Sequence, residues 1–113
     1  MNTPHARILD PVCYAVFQGI QRLRDELSEN AEAVTHLENA RKELTSAYVS
    51  DSRWPPAPTS PGRFNVRESI EDLKKANASL EKAMIAGKIQ DQRSLYSPNI
   101  MGTQILSIEE ELM

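Results

Sequence analysis

The chain has 113 residues, of which 26% are charged and 5% are aromatic, and its net charge is −3. This length allows one small domain with few aromatic side chains to fill a core, and no basic patch of the kind that binds nucleic acid is present. No apolar run approaches the roughly 20 residues that cross a bilayer, so a membrane role is not expected.

Two features bear on location. The N-terminus has no basic start followed by an apolar stretch and a small-residue cleavage site. Cys13 is the single cysteine and has no partner for an internal disulfide. Both features favour a reducing, intracellular and cytoplasmic setting, although a secreted effector without a signal peptide would share them.

The first predicted element is a long helix over residues 11–49, preceded by a flexible arm over residues 1–9. Asp10 is a suitable N-cap and Pro11 suits the first helical position. Apolar residues then recur in steps of three and four, as in a heptad repeat. One seam holds Cys13, Ile20, Leu27, Val34 and Tyr48, and the other holds Val16, Leu23, Leu37 and Leu44.

Asn30 and Arg41 interrupt these seams. A buried Asn fixes register or oligomeric state at a cost in stability. The alternative is that the seam drifts, as it does along a straight helix, and leaves Asn30 half exposed. The sequence leaves both interpretations open.

Residues 50–64 form a connector with four prolines, which cannot continue a helix. The connector holds Trp54, the only tryptophan. We expect Trp54 either to pack near Tyr48 or Phe64 at the end of the helices, or to face a partner beside a polyproline turn.

A second helix is predicted over residues 66–88, with Gly87 as a possible terminator. Its seam contains Val66, Ile70, Leu73, Leu80 and Met84, and Asn77 occupies a further core position. In one register of a hairpin, Asn30 and Asn77 would face one another.

Alanines flank the seams, where a two-stranded coiled coil usually has charges. They widen the apolar stripe and suit a bundle of three or four helices. The expected fold is therefore all-α: a long antiparallel, coiled-coil-like helical hairpin over residues 10–92 that completes a bundle by oligomerisation.

Residues 93–113 are predicted to form an irregular tail with a possible short helix. Its apolar residues include Ile105, Ile108 and Leu112 beside a run of glutamates. A helix this short is unstable alone in water, so the tail either docks on the hairpin or binds a partner.

No catalytic or metal-binding pattern is evident. Cys13 and His36 lie 23 positions apart on what reads as one helix, which separates them by roughly 35 Å. Two histidines and one cysteine do not form a metal-ligand cluster, and no phosphate-binding glycine loop is present. We therefore expect neither enzymatic activity nor a cofactor.

The expected function is a non-enzymatic protein–protein interaction or assembly subunit that binds itself or a protein partner through its heptad surface. The residues expected to carry this role are Ile20, Leu23, Leu27, Val34, Leu37, Leu44, Ile70, Leu73, Leu80 and Met84. The alternative is a small regulatory binder, such as an inhibitor, chaperone or effector, that presents Trp54 or the C-terminal tail.

Overall fold

The computed structural model describes residues 4–49, 62–90 and 96–112. These residues form four helices and no strand: α1 (Pro4–Glu26), α2 (Ala31–Val49), α3 (Gly62–Ala86) and α4 (Pro98–Leu112). The prediction of an all-helical chain is confirmed, and the helix packing is consistent with a bundle.

The predicted continuous helix over residues 11–49 is wrong, because the chain turns between α1 and α2. The Asn30 amide donates to the Leu27 carbonyl at 2.9 Å, and the Asn30 Oδ1 accepts from the Ala33 amide at 2.9 Å. Asn30 is therefore the N-cap of α2. The heptad pattern continues across this turn because the pattern marks buried positions, and the apolar faces of α1 and α2 are buried in the same core.

The predicted flexible arm is wrong for residues 4–9, as is the helix start at Asp10, and residues 1–3 lie outside the described residues. The helix begins at Pro4 and continues through Pro11. Leu9 is buried with Val12, Cys13 and Val16. Burial of this apolar stripe offsets the hydrogen bond that a proline removes inside a helix.

Small residues line the contact between α2 and α3. The side chains of Asn30 and Ser69 donate to the carbonyls of Ala86 and Ala47, which fixes an antiparallel register. This register places Ala33 opposite Ala83, Ala40 opposite Ala76 and Ala47 opposite Ser69, and all six residues are buried. Side chains of this size let two helices approach closely, and the intervening leucines fill the layers between them.

The second of the two predicted helices corresponds to α3 and begins and ends earlier than predicted. It spans Gly62–Ala86, whereas the sequence indicated residues 66–88. Its end is a Schellman motif, in which the Ile89 amide donates to the Met84 carbonyl and the Lys88 amide to the Ile85 carbonyl. Lys88, with φ of 58°, occupies the left-handed position that glycine usually takes.

Gly87 has another role in this turn. A Cβ placed on Gly87 would lie 2.4 Å from Leu27 Cδ2. A side chain at position 87 would therefore displace the Leu27 side chain, whereas the positive φ that ends the helix is that of Lys88 and places no demand on Gly87.

The irregular tail predicted over residues 93–113 is largely the helix α4. Contacts link α4 to α1 and α3, and α1 and α3 each contact the other three helices. The bundle measures 47 × 22 × 18 Å. Buried apolar residues from all four helices form one core.

Candidate functional site

The seam residues expected to bind a partner lie inside the bundle. Nine of the ten are buried: Ile20, Leu23, Leu27, Leu37, Leu44, Ile70, Leu73, Leu80 and Met84. Val34 is half-buried. These residues pack within one chain, so in the folded protein they stabilise the core and are not exposed to a partner.

Asn30 and Asn77 do not face one another. Asn30 caps α2 and its Nδ2 donates to the Ala86 carbonyl at 3.1 Å. The Asn77 Nδ2 donates to the Pro98 carbonyl at 3.1 Å, and its Oδ1 accepts from the Tyr96 hydroxyl at 2.7 Å. The predicted asparagine pair is therefore wrong. Asn30 instead satisfies backbone groups at two helix ends, since a helix terminus leaves such groups without partners. Asn77 links α3 to Tyr96 and to the first residue of α4.

Tyr96 anchors the start of α4 against α1. Its ring lies over Gly19, where an added Cβ would be 2.2 Å from the ring Cδ2 atom. Burial raises the pKa of the Tyr96 phenol. The neutral hydroxyl donates to Asn77, so one side chain links α1, α3 and α4.

The alternative prediction, a regulatory binder, relied on Trp54 and on the apolar residues of the C-terminal tail. Ile105 and Ile108 are buried, so the tail docks on the other helices rather than remaining free. Trp54 and the side chain of Leu112 lie outside the described residues. Whether the connector presents Trp54 to a partner stays a prediction.

The buried thiol offers little nucleophilic chemistry. Burial raises the pKa of Cys13 to about 12, so the side chain is a neutral thiol at neutral pH, whereas the thiolate is the reactive form. His36 lies on α2 beside a shallow groove that Glu32, Lys82 and Ile85 also line. In the described part of the chain, no three His, Cys, Asp or Glu residues are grouped as a metal site would require.

Within residues 4–49, 62–90 and 96–112, none of the helices combines the length and the apolar character that crossing a membrane demands.

The surface of α1 carries two aromatic side chains next to each other. Tyr14 is 58% exposed and Phe17 is 41% exposed, and their ring centroids are 6.5 Å apart. Gln21, also exposed, continues the same row at a spacing of three and four residues. We call Tyr14, Phe17 and Gln21 the aromatic face of α1.

Sequence reasoning did not select the aromatic face, although a signal for it was present. Tyr14 and Phe17 belong to neither seam, and they are two of only five Tyr and Phe residues in the chain. Large side chains outside both seams of a helix predict an exposed apolar row. The contact between Gly19 and Tyr96 had no such signal, because it joins residues 77 positions apart.

Other exposed apolar side chains are more scattered. Ile85 on α3 is 68% exposed, and α4 exposes Ile100 and Leu106. Singly placed apolar side chains are common on protein surfaces. The aromatic face differs because its two rings are in contact with one another.

Comparisons with known proteins do not identify a family. No protein-family model matches the sequence, and neither a curated protein nor a solved structure was found that matches it.

Proposed function

We propose that the protein is a non-enzymatic interaction subunit that binds an amphipathic helix of a partner protein through the aromatic face of α1. The observation that carries the proposal is the exposed pair of Tyr14 and Phe17 on a helix whose other face is buried. In this proposal the heptad seams stabilise the bundle, and the aromatic face of α1 binds the partner.

The composition of the row supports this choice. Tyr, Trp and Arg are enriched among the residues that contribute most to protein interfaces, and Phe is enriched in interface cores. Residues at positions 14, 17 and 21 lie along one stripe of a helix, at the spacing by which helices pack against one another. Asp10 and Arg24 extend the stripe at either end, which gives the apolar centre a polar rim.

The internal packing supports a partner that binds from outside. α1 packs on α2 and α3, and α4 packs on α1 and α3, so the seam residues contact one another within a single chain. A finished bundle needs only a local contact to bind a partner. This packing favours a partner that docks on the exposed face of α1.

The experiment combines site-specific crosslinking with reconstitution. A photo-crosslinking amino acid at Phe17 is expected to capture a partner in the native cells, whereas the same group at Ile85 captures none. The captured protein is then purified and titrated with the full chain. Complex formation is measured by calorimetry.

The matched variants decide the result. We expect Tyr14→Ser with Phe17→Ser to weaken the complex at least tenfold, since each ring removed from an interface costs about 1–2 kcal/mol or more. Ile85→Ser, which changes a more exposed apolar residue on α3, should leave the affinity within twofold. An affinity that is insensitive to the two aromatic residues would contradict the proposal.

A further inference from the structure

We infer that the partner of the aromatic face is an acidic amphipathic helix, which lies in the groove between α1 and α2 and pairs a carboxylate with Arg41. The α1–α2 groove is defined by Phe17 and Gln21 on α1 and by Arg41 and Thr45 on α2. The inference rests on the proposed function, since Phe17 and Gln21 belong to the aromatic face, and it adds the groove, the charge and the register of the partner.

An ion pair fixes how α1 and α2 lie beside one another. The Arg24 Nη1 is 3.1 Å from the Glu38 Oε1. The short turn that joins the two helices makes them an antiparallel pair. Three residues further from the turn on each helix, Gln21 lies level with Arg41, about 4.5 Å from the ion pair along the helix axis.

The α1–α2 groove is open on its outer side. Phe17 lies level with Thr45, because each is seven residues from the ion pair on its own helix. Phe17 is 41% exposed, and Gln21, Arg41 and Thr45 are also exposed. Ile20, next to Gln21 in the chain, is buried in the core. Two adjacent helices that expose their facing flanks form a surface on which a third helix can pack.

Arg41 occupies a position where the heptad pattern predicts an apolar residue. It continues the seam of Val34, which is half-buried, yet Arg41 itself is exposed. In the part of the chain that the structure describes, its guanidinium forms no ion pair, whereas Arg24 is paired with Glu38.

The charge of Arg41 indicates the chemistry of the partner. A guanidinium stays ionised and matches a carboxylate with two parallel hydrogen bonds. Because complementary charges select partners and fix their register, a carboxylate is the group that this groove favours. Arginine and tyrosine are also enriched among the residues that contribute most to interfaces, and here Arg41 lies beside the row that begins at Tyr14.

The two helices also set the spacing on the partner. Phe17 and Arg41 are separated by about 6 Å along the helix axis, which is the length of four residues in a helix. The partner helix therefore places an apolar residue against the Phe17 ring and a carboxylate four residues away on the same face. Tyr14, about one turn beyond Phe17, contacts a second apolar residue.

The test uses two hydrocarbon-stapled helical peptides and the full chain, with binding followed by fluorescence anisotropy. Both peptides carry the same stripe of leucines. In the first, a glutamate lies four residues from one of these leucines, and in the second a lysine replaces that glutamate. We expect the unchanged chain to bind the glutamate peptide about fivefold more tightly, as for a strong surface ion pair, and added salt to reduce this preference.

Charge reversal in the chain identifies the residue responsible. Arg41→Glu should reverse the preference, so that the lysine peptide binds more tightly. Lys82→Glu makes the same change in net charge at an exposed position on α3 and should leave the preference within twofold. Arg41→Lys, which keeps the charge and loses the planar guanidinium, should retain a reduced preference. Far-UV circular dichroism of each variant confirms that the helices remain folded.

The inference and the proposed function fail in different ways. No saturable binding of either peptide, equal binding of both, or an equal response to Lys82→Glu would overturn the inference. Loss of binding in a chain with Tyr14→Ser and Phe17→Ser, without a response to Arg41→Glu, would overturn the inference and support the aromatic face. Binding of the glutamate peptide that depends on Arg41 and is unaffected by the two serines would contradict the proposed function.

Discussion

Replacement of Gly19 by alanine is the sharpest test of how α1, α3 and α4 fit together. In most helix interiors this change stabilises a protein by about 0.5–1 kcal/mol, because glycine loses more backbone entropy on folding. Here the new Cβ would lie 2.2 Å from Cδ2 and 2.6 Å from Cε2 of Tyr96. The tyrosine is buried and bonded to Asn77, so its ring cannot move aside without breaking that hydrogen bond.

The magnitude follows from three contributions. Overpacking of a core costs about 1–3 kcal/mol. Loss of the Tyr96–Asn77 hydrogen bond adds about 1 kcal/mol, and the gain in helix propensity returns about 1 kcal/mol. We expect Gly19→Ala to lower the free energy of unfolding by about 1–3 kcal/mol, which corresponds to a Tm lower by about 4–12 °C for a chain of this size.

Gly102→Ala is the matched control. Gly102 also lies inside a helix, and the nearest atom to its added Cβ is Asn77 Nδ2 at 3.6 Å, an ordinary contact. This variant should raise the free energy of unfolding by about 0.5–1 kcal/mol. Both variants are measured by thermal and urea unfolding with far-UV circular dichroism. Equal stabilisation by the two alanines would refute the packing of Tyr96 over Gly19.

Hydrogen exchange locates the effect. If Tyr96 holds α4 against α1, Gly19→Ala should speed exchange of the α4 amides more than exchange of the amides in α2. Tyr96→Phe, which keeps the ring and removes the hydroxyl, should speed the same amides to a smaller extent. Uniform acceleration across all helices would instead indicate a general loss of stability.

Three further predictions concern the helix ends and the buried thiol. Asn30→Ala should lower the free energy of unfolding by about 1–2 kcal/mol through loss of the α2 cap. Asn39→Ala, at an exposed helical position, should change it by less than about 0.5 kcal/mol. Both variants are measured by urea unfolding. Lys88→Gly should raise the free energy of unfolding by about 0.5–1 kcal/mol because glycine adopts a positive φ at no steric cost, and unchanged or lower stability would contradict the left-handed assignment. Burial raises the pKa of Cys13 from 9.0 to about 12, so its contribution to stability is complete below pH 9 and is lost as the pH rises towards 12. In unfolding measured across that range, Cys13→Ala should therefore flatten the pH dependence, and an unaltered slope would show that the thiol ionises freely in the folded state.

Much of the core could be predicted because burial leaves a periodic signal. The steps of three and four identified Leu23, Leu37, Leu44, Leu73 and Leu80 as core residues, and all five are buried. Periodicity reports the face of a helix that is apolar. It does not report where the chain reverses, because the repeat is the same on both sides of a tight turn.

The turn at Asn30 shows what the pattern conceals. The sequence Ser28-Glu29-Asn30 reads equally well as a polar stretch of a long helix and as a turn with an N-cap. The Ala86 carbonyl that Asn30 binds is 56 positions away, so nothing local distinguishes the two. The same limit applies to Gly87, which the sequence suggested as a helix terminator, because its close neighbour Leu27 is distant in the sequence.

The candidate site was less predictable than the core. Residues selected for a partner, such as Ile20 and Met84, are core residues, because the apolar seam of a helix is the same whether it binds its own chain or another. Tyr14 and Phe17 can be recognised as exposed only once the seam positions of α1 are known, because they belong to neither seam. Sequence periodicity separates buried from exposed positions, and the three-dimensional packing decides which exposed positions remain uncovered.

If one chain completes its own helical core, the protein should remain folded as a monomer on dilution. The decisive measurement is light scattering on a sizing column, over a hundredfold dilution series and with far-UV circular dichroism on each peak. We expect a helical monomer of 12.7 kDa whose helicity does not change with concentration. An oligomer that loses helicity as it dissociates would contradict it, since the seams would then be buried between chains.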